Sequence, residues 1–121
     1  MATIKSYTDL NQSRKLAEIL PLESADMAYI ASATDDDGET LYTAEYKSEI
    51  IIYETDDYIN CWSLSALLSV LPKVINNETL FIETSPALWH IGYRNIYTAR
   101  ADNPVDVCYE MLLKLNELKR L

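Results

Sequence analysis

Apolar and polar positions change their period several times along the chain. Over residues 8–20, Leu10, Leu16, Ala17, Ile19 and Leu20 supply an apolar side, and Asn11, Gln12, Arg14, Lys15 and Glu18 a polar one. That spacing predicts a first helix. Ser6 and Thr8 each offer a capping hydroxyl, and Asp9 suits the positive end of the helix dipole. Pro21 lacks the donor needed to continue, and LESADM after it has room for one more turn.

The period then moves toward two, and aromatic and β-branched residues become frequent, which predicts strands over 27–33 and 40–53. In the second, Tyr42, Ala44, Tyr46, Ser48, Ile50 and Ile52 share one face, and Thr43, Glu45, Lys47 and Glu49 the other. TDDDGE joins the two as a hairpin turn, with Gly38 free to take positive φ.

Residues 63–71 predict a short helix, capped by Ser63, apolar nearly all round and stopped by Pro72. Asn76 and Asn77 mark a turn. Strands are predicted at 80–84, 87–93 and 96–100 as a meander. The last helix opens at Asn103 as N-cap with Pro104 first and Asp106 third. Val105, Cys108, Met111, Leu112, Leu115 and Leu118 form its apolar stripe, Glu110 and Lys114 an i,i+4 pair, and Lys119 and Arg120 suit its negative end. Short turns between successive strands imply antiparallel pairing. The expectation is one α+β domain over residues 1–121. Its antiparallel sheet has about four to six strands, with three helices packed mainly on one face.

Composition narrows the class. A chain of 121 residues, 49% hydrophobic, with two Gly and four Pro, is neither a linker, a fibre nor a disordered tail. Ten basic against nineteen acidic residues give a net charge of −9, which argues against nucleic acid as a partner. The charge is concentrated. Residues 35–57 hold nine acids, among them Asp35, Asp36, Asp37 and Glu39, and a single base, Lys47. Such a segment either keeps a strand edge soluble or docks a basic partner, mimicry of DNA phosphates included. It is not a calcium loop. With Gly38 as the sixth position, Ala33 and Ala44 stand where an EF-hand needs carboxylates.

Candidate chemistry is sparse. The single histidine, His90, lies on the strand face opposite Trp89 and Ile91, and no nucleophile signature flanks it. Cys61 and Cys108 sit among apolar neighbours and read as buried small hydrophobes, with a disulfide between them left open. One His and two isolated Cys lack the spacing of a zinc site. No phosphate-binding, nucleophile-elbow or metalloprotease motif is present, so no cofactor, metal or catalytic residue is assigned. Tyrosine is abundant, at nine residues, and Tyr93, Arg94 and Tyr97 near the meander turn form a candidate contact patch. No apolar run reaches membrane-spanning length, and the opening MATIKSYTDL lacks a signal-length apolar run. The expected location is the cytoplasm.

Three segments, KSYTDLNQSRKLAEILPLESADM, CWSLSALLSVLP and ADNPVDVCYEMLLKLNELK, resemble a group of small proteins from gut bacterial genomes, often in prophage or other mobile regions. That group has no assigned activity. The resemblance implies an accessory protein of a mobile element and carries over no catalytic residue.

The expected function is therefore a non-enzymatic interaction protein that binds a protein partner or itself as a homodimer. Its candidate surfaces are Asp35, Asp36, Asp37 and Glu39, and Tyr93, Arg94 and Tyr97. The alternatives are a small-ligand binder or enzyme with a pocket near His90, and an acidic inhibitor or nucleic-acid mimic.

Overall fold

Asp9, rather than Ser6 or Thr8, sets where the first helix begins. The computed structural model describes residues 5–47 and 58–121. In it, α1 (Leu10–Ala17) opens with a reciprocal capping box. Asp9 Oδ1 accepts the Gln12 N–H at 2.8 Å, and Gln12 Oε1 accepts the Asp9 N–H at 3.1 Å. Thr8 is engaged elsewhere. Its hydroxyl meets Ser13 Oγ at 2.8 Å and accepts the Trp62 N–H at 3.1 Å. A single 3-10 turn, Leu22–Ser24, follows Pro21.

Strands β1 (Met27–Thr34) and β2 (Thr40–Tyr46) form the expected hairpin, and Gly38 takes a φ of 83° in its turn. Residues 48–53 of the longer strand predicted from the sequence lie outside the described residues. A short strand that the pattern did not predict, β3 (Tyr58–Cys61), pairs with the other side of β1. Helix α2 (Leu64–Val70) is capped by Ser63, whose Oγ accepts the Ala66 N–H. Next come β4 (Val74–Ile75), β5 (Glu78–Thr84), β6 (Trp89–Tyr93) and β7 (Tyr97–Ala101). Asn76 and Asn77, both with positive φ, make the β4–β5 turn. Helix α3 (Pro104–Glu117) starts at Asn103, whose Oδ1 accepts the Asp106 N–H at 2.8 Å. It stops before Lys119, which takes a left-handed φ of 58°.

The fold is α+β, and its strands divide between two antiparallel sheets, β2-β1-β3 and β4-β5-β6-β7. Helix α3 lies against β7 and β6, α2 packs on α3, and α1 meets β3 of the other sheet. The core joins Leu16 and Leu20, Trp62, Leu67 and Leu71, Ile91 and Tyr93, and the α3 stripe from Val105 to Leu115. Trp62 and Tyr93 are fully buried. Gly92 is dictated by close approach, since a Cβ there would stand 2.2 Å from the Tyr97 carbonyl oxygen.

Polar groups inside this core are bonded. Asp26 takes both the Ser63 N–H at 3.0 Å and its hydroxyl at 2.5 Å. Among the described residues no buried side-chain nitrogen or oxygen lacks a partner. No helix among them is long and apolar enough to cross a membrane.

Candidate interaction surface

Among the described residues, the β1–β2 hairpin runs past the end of β3. Ladder partners tie β3 to β1 only from Met27 to Ile30. Beyond Ile30, β1 pairs with β2 alone among the described residues, and Ser32, Ala33 and Thr34 are exposed. A bulge at Ser32 shifts the register between Ala31 and Ala33. Among the described residues, the tip half of the hairpin is thus an arm.

Alternation and register place Tyr29, Ala31, Tyr42, Ala44 and Tyr46 on one face of this arm, with Leu41, Thr43 and Glu45 on the reverse. Tyr7 adds a fourth ring to the first face, its centroid 6.0 Å from that of Tyr29 at an interplanar angle of 72°. The Tyr29 hydroxyl donates to the Thr8 carbonyl at 2.8 Å, which anchors the middle of the row. Burial pushes this phenol well above the usual tyrosine range, with nearby Cys61, Tyr7 and Asp9 adding to the shift. Tyr42, opposite Ala31 toward the tip, is half-buried, and Tyr46, opposite Met27 at the base of the hairpin, is 69% exposed. A concavity of about 320 Å³ lies beside Tyr7 and Tyr29, bordered by Lys5 and Asp9.

The four acidic positions read from the tip do different things. Asp35 Oδ1 accepts the N–H groups of Asp37 at 3.0 Å and Glu39 at 2.9 Å, so its carboxylate builds the turn. The carboxylates of Asp36, Asp37 and Glu39 are exposed and have no partner among the described residues. The segment's one base does not compensate them. Lys47 turns toward the body, where its Nζ donates to Asn60 Oδ1 at 2.5 Å and its N–H to the Asp26 carbonyl at 3.0 Å. Burial lowers its pKa, against the opposing pull of Cys61 and Asp26.

The second predicted patch does not assemble. Tyr93 is fully buried and donates to the Pro72 carbonyl at 2.6 Å, and burial pushes its phenol up to about 12. It serves the core because β6 directs Trp89, Ile91 and Tyr93 toward α3. Arg94 and Tyr97 point to opposite sides of the sheet. The Arg94 guanidinium lies 5.0 Å from the Phe81 ring centroid on the outer face, while Tyr97 lies under Lys114 of α3.

His90 faces outward, as alternation implies, and its Nε2 meets Ser85 Oγ at 3.2 Å. It lines neither the concavity beside Tyr7 nor the two larger ones described, of about 590 and 490 Å³. Cys61 and Cys108 are both free thiols in the interior. Burial pushes each up to about 12, with Asp26 adding to the shift at Cys61. Among the described residues no group of three or more His, Cys, Asp or Glu is placed to hold a metal ion.

In comparisons with known proteins, no family model, no curated relative and no solved structure matches the chain.

The tyrosine face is the part of this surface that sequence reasoning missed. Tyr42 and Tyr46 were legible as one side of a strand. Their alignment with Tyr29 and Tyr7 depends on the β1–β2 register, for which the sequence carries no separate signal.

Proposed function

We propose that this chain is a non-enzymatic interaction module that binds a protein partner through the tyrosine face of the β1–β2 arm. The observation that supports it is the row of Tyr7, Tyr29, Tyr42 and Tyr46 on one side of the β1–β2 hairpin, with Tyr46 69% exposed. Tyrosine offers a large, stiff contact area with a polar handle, which is why interfaces are enriched in it. The unpaired carboxylates of Asp36, Asp37 and Glu39 at the tip add long-range attraction for a basic partner. An accessory role in a mobile element, carried out in the cytoplasm, suits such a module.

The test is affinity capture on the tagged full-length chain at low and high salt. It is run beside a Tyr42→Ser/Tyr46→Ser variant and an Asp36→Lys/Asp37→Lys variant. The expected result is one stoichiometric partner, lost with the tyrosine variant and weakened with the charge variant, which also loses its salt dependence. A partner captured equally by all three proteins overturns the reading. Recovery of the protein alone, as a dimer that the tyrosine variant dissolves, replaces the partner with a second copy.

A further inference from the structure

Strand β7 ends the order β4-β5-β6-β7, so one side of its main chain has no ladder partner among the described residues. Which groups face outward follows from the turn. The Ile96 N–H donates to the Tyr93 carbonyl at 3.0 Å, so that carbonyl points across the hairpin and Tyr93–Tyr97 is a hydrogen-bonded pair. The antiparallel alternation then directs the main-chain groups of Ala99 toward β6 and those of Thr98 and Arg100 outward. An edge of this kind is a template for one more strand.

The edge borders a groove. One wall is β7 from Thr98 to Ala101, the other is the exposed flank of α3, and Gln12 closes one end, enclosing about 590 Å³. Ala99 and Ala101 are small and leave room above the half-buried Leu113. The charge on the helical wall is uneven. Lys114 is drawn to the Tyr97 ring, 5.9 Å from its centroid. Asp106 is occupied by Lys5, Gln12 and Asn103. Glu110 and Glu117 remain exposed, with no partner among the described residues.

We propose that this groove takes an extended basic segment of a partner protein, added as a strand beside β7. The outward main-chain groups of Thr98 and Arg100 hold its backbone, and its Lys or Arg side chains reach Glu110 and Glu117. Seven residues of helix separate those glutamates by about 10 Å. Lysines two or four positions apart on a strand, at about 3.4 Å per residue, stand about 7 or 14 Å apart, and their long side chains take up the difference. Charge decides against a second copy. Antiparallel β7–β7 pairing sets two α3 flanks side by side and gathers the exposed Glu110 and Glu117 of both copies. This groove belongs to the other sheet from the tyrosine face, so the two surfaces stand or fall separately.

The test is an NMR titration of the ¹⁵N-labelled full-length chain with the capped hexapeptide Lys-Val-Lys-Val-Lys-Thr, and with Glu-Val-Glu-Val-Glu-Thr as control. The basic peptide is expected to shift the amides of residues 98–101 and 110–117 and to slow hydrogen exchange at Thr98 and Arg100. The acidic peptide shifts neither. A Glu110→Lys/Glu117→Lys variant, changed only at exposed positions, is expected to bind about tenfold more weakly or worse. Arg100→Pro removes an outward N–H and is expected to abolish the slowed exchange at Thr98. Shifts confined to α3 without slowed exchange at β7 overturn the proposal, as does the absence of any shift at millimolar peptide. Broadening at β7 that grows with protein concentration alone also overturns it, by placing a second copy in the groove.

Discussion

Lys5 Nζ donates to Asp106 Oδ1 at 2.7 Å, across 101 positions of sequence. The same ammonium donates to Gln12 Oε1 at 2.8 Å and meets Asp9 at 3.2 Å, and Gln12 Nε2 donates to Asp106 at 2.9 Å. The caps of α1 and α3 are thus parts of one network, with Lys5 at its centre.

Removing the centre should loosen both helix starts. Lys5→Ala is expected to lower unfolding free energy by about 1–2 kcal/mol, the range for a charged hydrogen bond discounted for partial exposure. Urea denaturation checks it. A change within error would show that water replaces Lys5 at no cost.

The network also has a pH signature. Burial alone raises the Asp106 pKa, but hydrogen bonds from Lys5, Gln12 and Asn103 outweigh it and hold the carboxyl below its ordinary 3.8. A depressed folded pKa contributes stability above the unfolded value, and that contribution is lost as pH falls through the folded one. Stability should therefore decline as pH drops below 3.8, and the decline should be shallower in Asp106→Asn. Thermal unfolding between pH 2 and pH 6 measures both slopes. Parallel profiles for the two proteins would remove Asp106 from the acid response.

Gly92 should tolerate no side chain. A Cβ would meet the Tyr97 carbonyl oxygen at 2.2 Å and Thr98 Cα at 2.9 Å, both backbone atoms that cannot rotate away. Gly92→Ala is expected to cost about 3 kcal/mol or more by forcing β6 from β7. Chemical denaturation and amide exchange at Tyr97–Ala101 report it.

The thiols should be inert in the folded state. Burial lifts Cys61 and Cys108 from an ordinary 9.0 to about 12, which cuts the thiolate fraction roughly a thousandfold. Iodoacetamide at pH 8 should label neither until denaturant is added, as read by intact mass. Fast native labelling of either would contradict its burial.

Asp35 and Asp36 should separate structure from docking at the arm's tip. Asp35→Ala frees the N–H groups of Asp37 and Glu39, so exchange at those amides should quicken, with about 0.5–1.5 kcal/mol of local stability lost. Asp36→Ala should leave exchange unchanged. Equal exchange in both variants would refute the division.

Much of this was legible locally. Asn103 and Pro104 start α3, Ser63 caps α2, Gly38 closes the hairpin, and paired asparagines turn β4 into β5. Each is a contact between residues a few positions apart. The expectations that changed concerned partners further away. Thr8 cannot cap α1 because its hydroxyl is held by Ser13 and Trp62. Tyr93 cannot join Arg94 at the surface because α3 covers that face of β6.

The amino-acid order by itself determined the α+β class, the caps of α2 and α3 and the turns, because capping and turn chemistry are spent within a few residues of chain. Only the tertiary structure decided that the strands form two sheets, that Lys5 reaches Asp106, and that Tyr46 is open while Tyr93 is closed. A period of two states that a strand has two unlike faces. Which face is covered is settled by whatever packs on it, and those groups come from distant parts of the chain.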